Sequence, residues 1–238
     1  MNAYVQQGVK NWLNRETMME GFHKAGFWTA HVEELKPDDI GKHIYYGNVG
    51  FIRRLVYNLG YKERWIGHVP EDLYPLAGRE IIIRPISEVL RSRVKKFIKP
   101  TPDKNKSFDG FVYTGDQMEQ LIVVNYFMKG DEPIIVSDVV NFVSEWRCYI
   151  CNGEILDGKH YKGDFRKAPD YSVADKAIEL WKDAPVAWSC DIGVTDEGKT
   201  LIVECNDVMS LGMYGLAPHK AALMLEKRWE QIHKLKSL

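Results

Sequence analysis

The chain has 238 residues, with 32 Lys and Arg set against 33 Asp and Glu, 45% hydrophobic residues and 12% aromatics. These are the proportions of a soluble globular protein of one or two domains, and the balanced charge removes the sequence-independent attraction of a strongly basic protein for nucleic acid. No run approaches the ~18 apolar residues of a membrane span, and the polar start lacks the apolar stretch of a secretory signal, so a cytoplasmic protein away from membranes is expected.

Residues 1–40 carry weak signals, with a short helix expected over 15–24 and Lys36-Pro37-Asp38-Asp39 as punctuation. His43 to Tyr46 reads as a strand, Gly47-Asn48-Val49-Gly50 as a turn, and Phe51 to Leu59 as a helix closed by Gly60. A strand, glycine turn and helix can cradle a phosphate, but two glycines without a fuller fingerprint favour a plain structural turn. Strands are expected at 80–83, 94–99, 108–114, 133–140 and 143–151, and a helix over 86–93; 116–128 reads as helix or strand. Asn152-Gly153 predicts a tight hairpin turn into a strand over 154–161. A helix over 173–182, a second hairpin (186–194 with 199–206) and a final helix over 218–236 complete the chain. Strands outnumber helices and the two are interspersed, so the expected class is α+β.

The second hairpin carries the most chemistry. Period-two alternation puts Trp188, Cys190 and Ile192 on one face of its first strand and Leu201, Val203 and Cys205 on one face of its second, the expected core faces. Ser189 and Asp191 share the opposite face with Ile202, Glu204 and Asn206: a two-residue loop would place Asp191 opposite Glu204, a four-residue loop would place it opposite Ile202 and diagonal to Glu204, and a three-residue loop needs a bulge to keep this. Asp191, Glu204 and Asn206 would thus gather as a hard, oxygen-rich site suited to Mg²⁺, although a solvated sheet face is the simpler account of these residues alone. Lying off the core face, Asp191 and Glu204 are expected to be replaceable without loss of the fold. Lys99 ends a hydrophobic strand at Pro100, a basic loop carries Lys106, and Glu145, Arg147 and Tyr149 share a strand face. Lysine, arginine and acidic oxygens on separate strands are what a metal-bound triphosphate needs.

The order of these pieces resembles the ATP-grasp superfamily: Lys99-Pro100, a hinge strand over 134–140, Glu145-Trp146-Arg147, Asp191, then Glu204-Cys205-Asn206. With Lys-x-Phe-x-Gly at Lys106 to Gly110, the pattern further resembles a divergent clade that includes the eukaryotic cell-division-cycle chaperone of translation initiation and many bacterial and phage proteins. The resemblance covers about 94–215. It implies an ATP-grasp fold over 91–238, two α+β subdomains gripping ATP, preceded by a variable region over 1–90 that could hold the substrate-binding part. It also implies that ATP is bound with Mg²⁺ and that a carboxylate is joined to an amine or thiol through an acyl phosphate, with release of ADP. Lys99 would contact the α- or β-phosphate and Lys106 would cover the phosphates. The backbone of Ser137, Asp138, Val139 and Val140 would form the adenine hinge, and Glu145 would hold the ribose. Arg147 would face the transferring group, and Asp191, Glu204 and Asn206 would bind the metal.

One departure matters: Ser189 stands where the family usually has an arginine two residues before the metal-binding aspartate, so either Arg147, Lys159 or Lys162 stabilises the developing charge or the chemistry differs. Two other readings remain open. A nucleotide-dependent assembly factor would bind ATP and a protein partner without ligase turnover. A covalent nucleotidyltransferase would use Lys106, although Lys106-Ser107-Phe108-Asp109-Gly110 has one residue too many for a Lys-x-Asp-Gly signature. The seven histidines show no metal-ligand spacing, and neither a nucleophile elbow nor a Walker A sequence is present. Cys148, Cys151, Cys190 and Cys205 read as buried small hydrophobes; the first two, three apart on a strand, point to opposite faces. The aromatics Trp12, Phe22, Phe27, Trp28, Tyr45 and Tyr46 could line a substrate pocket, but ordinary packing is the simpler account.

Overall fold

The computed structural model describes residues 1–35, 40–61, 66–102, 108–116 and 131–235, together with Ile122 and Tyr126. Three sheets organise them. The first is parallel: β1 (Ala3–Gln6) lies between β2 (Thr29–Val32) and β3 (Ile44–Tyr46). Between β1 and β2 runs α1 (Trp12–Lys24), started by the Asn11 side chain, which accepts from the Leu13 amide. After β3 comes α2 (Val49–Asn58), whose apolar residues Phe51, Ile52, Leu55 and Val56 are buried. It ends as expected at Gly60 (φ +83°), with Tyr61 N donating to Val56 O and Gly60 N to Tyr57 O, a Schellman closure.

The second sheet is antiparallel and five-stranded, with β4 (Gly67–His68), β9 (Phe142–Cys151), β10 (Glu154–Gly163), β11 (Ala187–Thr195) and β12 (Thr200–Asp207) in the order β10-β9-β11-β12-β4. Asn152 and Gly153, at φ 53° and 77°, make the expected tight turn between β9 and β10. The third sheet has β5 (Ile81–Pro85), β6 (Lys96–Pro100), β7 (Phe111–Tyr113) and β8 (Pro133–Ser137) in the order β5-β8-β6-β7. Packed on β5 is α3 (Ile86–Ser92), and Ile86, Val89, Ile98, Phe108, Tyr113, Ile134 and Val136 form this unit's own core. Of the ambiguous 116–128 stretch, Ile122 and Tyr126 are helical and exposed. The chain is α+β, with mixed helices and mainly antiparallel sheets.

The five-stranded sheet buries both faces, differently. Cys148, Ile150, Trp188, Cys190, Ile192 and Cys205 pack against α4 (Ser172–Leu180) and a short 3-10 helix over Glu71–Leu76. The other face begins in a core shared by Tyr149, Cys151 and Ala187 with the first sheet, α1 and α5 (Pro218–Leu235). Further along, the same face carries Glu145, Arg147 and Asp191, which front a cleft. Cys148 and Cys151 thus lie in different cores, and all four cysteines are buried and free, as expected. Phe22, Tyr45 and Tyr46 are core residues, whereas Trp12 and Trp28 are exposed. Gly21 lets α1 meet α5 closely: a Cβ there would lie 2.2 Å from the Pro218 carbonyl oxygen. No described helix is long and apolar enough to cross a membrane.

Candidate active site

The β11–β12 hairpin sets the geometry. Thr195 N donates to Lys199 O (2.8 Å), so the loop holds three residues, Asp196 to Gly198, with Gly198 at φ +81°. The compensating bulge is at Val203: Asp191 pairs with Glu204, whereas Ile192 pairs with Ile202. The bulge corrects the expected core face of β12. Ile202 is fully buried opposite Ile192, while Leu201 and Val203 are only partly buried, because the extra residue inverts the alternation. Arg79 fastens the bulge by donating to Ile202 O (2.7 Å) and Val203 O (2.9 Å).

Two rows of side chains then cross the sheet on the cleft face. Arg147, Asp191 and Glu204 form one row and Tyr149, Ser189 and Asn206 the next. Arg147 grips Asp191 through two parallel bonds, Nε to Oδ1 at 2.7 Å and an Nη to Oδ2 at 2.6 Å. Its other Nη donates to Gly212 O at 3.2 Å, and its guanidinium carbon lies 5.0 Å from the Tyr214 ring centre. Lys99 reaches across from the third sheet to Glu204 (2.9 Å), whose other oxygen accepts from Asn206 Nδ2 (2.9 Å). Glu145 accepts from the Tyr161 hydroxyl at 2.7 Å and from Lys162.

The two carboxylates of the first row differ in environment. Burial pushes the Asp191 carboxyl up to about 6 although Arg147 opposes it, and Glu204 and Glu145 add to the rise. Burial would also raise Glu204, but the Lys99 ammonium and the bonds from Lys99 and Asn206 outweigh it and bring this group down to about 2. Burial would lower the Arg147 guanidinium, and the Asp191 carboxylate more than offsets it, leaving a permanent cation. Asp191 is 1% exposed and locked into an ion pair. The expectation that it can be replaced without touching the fold is therefore corrected: off the core face is not the same as solvated when the face is roofed.

The cleft lies between the second and third sheets and has a volume of about 780 Å³, large enough for a nucleotide with a second small substrate. Lys99, Ser137, Asp138, Val139, Val140, Glu145, Arg147, Glu204 and Asn206 all line it. Asp191 sits immediately behind Arg147 and pairs across the ladder with Glu204. The strand β8 ends at Ser137, three residues before the expected end at Val140. Asp138 stays tied to the neighbouring strands, its N–H donating to Glu80 O (3.2 Å) and its carboxylate accepting from the Glu80 amide (3.1 Å) and Lys96 Nζ (2.6 Å). Lys106 lies outside the described residues. Of the alternatives to the missing arginine, Arg147 and Lys162 line the cleft, whereas Lys159 pairs with Asp157 at 3.2 Å. Ser189 is fully buried, and its hydroxyl has no hydrogen-bond partner among the described residues.

Several lining residues were not anticipated from sequence. Tyr161 and Tyr214 stack at 5.0 Å beside Arg147. Tyr149, expected on the face of Glu145 and Arg147, does not itself line the cleft; its hydroxyl lies 2.9 and 2.6 Å from the carbonyl oxygens of Gly212 and Met213 and fixes the 211–216 loop over the sheet. The glycines flanking Met213-Tyr214, five residues beyond Glu204-Cys205-Asn206, were the available signal for a loop that approaches the site. Arg53, Arg79, Gly67, His68 and Ser210 carried no such signal.

The family model of an ATP-grasp domain, the second family of its clade, matches residues 76–224, and the chain belongs to this family. No curated protein matches the sequence. Among solved structures, D-cycloserine synthetase DcsG superposes with a TM-score of 0.64 at 13% identity, covering 97% of this chain and 99% of the other. The D-alanine–D-alanine ligase of Bacillus anthracis in complex with ATP gives 0.58 at 13% identity, covering 100% of this chain and 98% of the other. The N5-carboxyaminoimidazole synthetase of Staphylococcus aureus in complex with ADP gives 0.62 at 6% identity, covering 95% and 77%. These likenesses establish the ATP-grasp fold.

Proposed function

We propose that this chain is an ATP- and Mg²⁺-dependent ligase that joins a carboxylate to an amine or thiol through an acyl phosphate, releasing ADP. The observation that carries the reading is the row Arg147–Asp191–Glu204, with Lys99 closing on Glu204 from the opposing sheet. It sets two cations and two carboxylates at the junction of the sheets, inside a cleft of nucleotide size. Phosphoryl transfer needs positioning and charge neutralisation more than covalent participation by the protein, so a site without a nucleophile suits it.

In this reading the backbone of Ser137 to Val140 holds the adenine and Glu145 the ribose. Lys99 contacts the α- or β-phosphate, Lys106 covers the phosphates, and Arg147 with Lys162 faces the transferring group. A substrate carboxylate oxygen attacks the γ-phosphorus, the bond to the bridging oxygen breaks, and its electron pair leaves on ADP. The amine or thiol then adds to the acyl carbon and loses its proton, and the carbon–oxygen bond to phosphate breaks. Asp191, Glu204 and Asn206 would hold Mg²⁺: their donor set is hard oxygen, and it already neutralises two cations, so it fits a divalent ion. When bound, the metal would supply charge neutralisation at the phosphates. Lys99 and Arg147, which line the cleft, would neutralise phosphate oxygens beside these carboxylates.

The assembly-factor reading draws support from Ser189, since the uncharged, buried side chain removes a charge-stabilising group from the acceptor side. Hydroxylamine separates the two. With Mg²⁺, ATP and a small-molecule extract, a ligase yields a hydroxamate from the trapped acyl phosphate, and nucleotide binding without any hydroxamate sinks the ligase reading.

A further inference from the structure

The bulge in β12 decides which of its side chains stands in line with Asp191. Two cross-strand pairs bracket it, Ile192 with Ile202 and Cys190 with Cys205. All four residues are fully buried, so the core holds both ends of this short segment in register. Between the two pairs, one residue of β11, Asp191, meets two of β12, Val203 and Glu204. Either of these could be the unpaired one without moving Ile202 or Cys205. With Val203 extra, as found, Glu204 stands opposite Asp191. With Glu204 extra, Val203 would take that place and the carboxylate would fall out of line with Asp191 and Arg147. Core packing does not choose between the two.

We infer that Arg79 makes the choice and is a positioning residue of the site: its hold on the carbonyls of Ile202 and Val203 keeps Glu204 opposite Asp191, where the ligase reading needs it for the metal. The inference rests on that reading for the metal only. Three observations carry it. First, one guanidinium donates to two consecutive carbonyls, Ile202 O at 2.7 Å and Val203 O at 2.9 Å. Consecutive carbonyls of a regular strand point to opposite edges, so they converge on one donor group only where the strand is bulged. Second, the guanidinium is fixed from its own side. It also donates to Ala77 O (3.0 Å), and its carbon lies 5.9 Å from the Phe142 ring centre. Third, the segment that carries it fits β12 closely. Gly78, at φ +60°, lies against Leu201, and a Cβ there would come within 2.6 Å of a Leu201 methyl carbon.

The same segment runs on into β5, where Glu80 exchanges two bonds with Asp138 at the end of β8. Arg79 thus ties the strand proposed to hold the adenine to the row proposed to hold the metal. Its charge works the other way. Arg79 lines the cleft and interacts electrostatically with Glu204, so as a plain charge it would repel a divalent ion. Removing it strengthens metal binding if only charge matters and weakens it if position matters.

The test uses the full chain, isotope-labelled for nuclear magnetic resonance. Wild-type protein should show cross-strand backbone Overhauser contacts between Asp191 and Glu204. In Arg79→Met these should fade or pass to Asp191 and Val203, while the Cys190–Cys205 and Ile192–Ile202 contacts remain. Calorimetry then measures the affinity for β,γ-imido-ATP with and without Mn²⁺. The gain that Mn²⁺ gives should fall about ten-fold or more in Arg79→Met. Arg79→Lys keeps the charge but cannot fork onto two carbonyls, so it should lie between the two, and it decides the matter if Arg79→Met does not fold. Unchanged Asp191–Glu204 contacts in the folded variant, or a Mn²⁺ gain that stays the same or rises, overturns the inference. A wild-type protein to which Mn²⁺ gives no gain removes the metal reading instead, and the backbone contacts still decide on Arg79.

Discussion

Replacing Asp191 by asparagine leaves the shape of the side chain and removes the charge that meets Arg147. Side-chain exposures in this pair are 8% and 1%, so neither partner can turn to water. Asparagine preserves an acceptor for one of the two bonds, but its amide brings hydrogens against the Arg147 nitrogen that now donates to Oδ2 at 2.6 Å. Breaking one side of a buried ion pair costs about 3–5 kcal/mol, much of it from the stranded charge. For a chain of this length that is a fall in Tm of roughly 6–20 °C. Glu204→Gln is the internal control. Its pair with Lys99 has exposures of 31% and 17%, and the loss should be about 1 kcal/mol. Urea unfolding of nucleotide-free protein near pH 7.5 measures both. The double variant Arg147→Met with Asp191→Leu should be more stable than Asp191→Asn alone, because no unpaired charge is left buried. Equal stabilities for Asp191→Asn and Glu204→Gln, or a double variant worse than Asp191→Asn, would refute the argument.

The depressed Glu204 carboxyl predicts a pH signature. Its pair contributes fully above the ordinary glutamate range near 4.5 and is lost as pH falls toward about 2, so the stability gap between wild type and Glu204→Gln should close over that window. A gap that stays constant in acid unfolding curves would contradict the assignment. Lys99→Ala should weaken Mg·ATP binding by about 1.5–3 kcal/mol, the value of a charge-assisted hydrogen bond, without unfolding the chain; calorimetry with a circular-dichroism control checks both halves. Gly21→Ala should lower stability by about 1–3 kcal/mol, since its Cβ would meet the backbone of Pro218 and force α1 away from α5. A thermal melt indistinguishable from wild type would show that the helices can shift freely.

Much of the fold was legible because its longer elements carry their own signals. The β9–β10 hairpin announces its turn in Asn152-Gly153, α2 announces its end in Gly60, and the final helix shows its apolar face. The parallel strands β1 and β2 were not legible, since each has four residues, mixes polar with apolar positions and exists only through its neighbours. The two-residue β4 is the same case. At the site, the residues on the ladder were foreseeable, and the three-residue turn with its bulge is the arrangement that keeps Asp191 beside Glu204. What alternation could not supply was the location of the bulge, which moved Ile202 into the core. Equally hidden was the pairing of Asp191 with Arg147, which depends on a roof supplied by residues 211–216 and on two strands meeting in register. The contribution from Arg79 was invisible because it comes from a separate segment that only packing brings to the hairpin.

Ligase chemistry is defined by which bond of ATP is broken and what is made. Wild-type protein incubated with Mg²⁺, ATP and a fractionated small-molecule extract, with all products identified by mass, tests it most directly. ADP and phosphate in equal amounts with a new condensed species are expected, and none of these without the extract. AMP attached to the protein, or tightly bound ATP with neither ADP nor a condensed product in any fraction, would contradict ligase function.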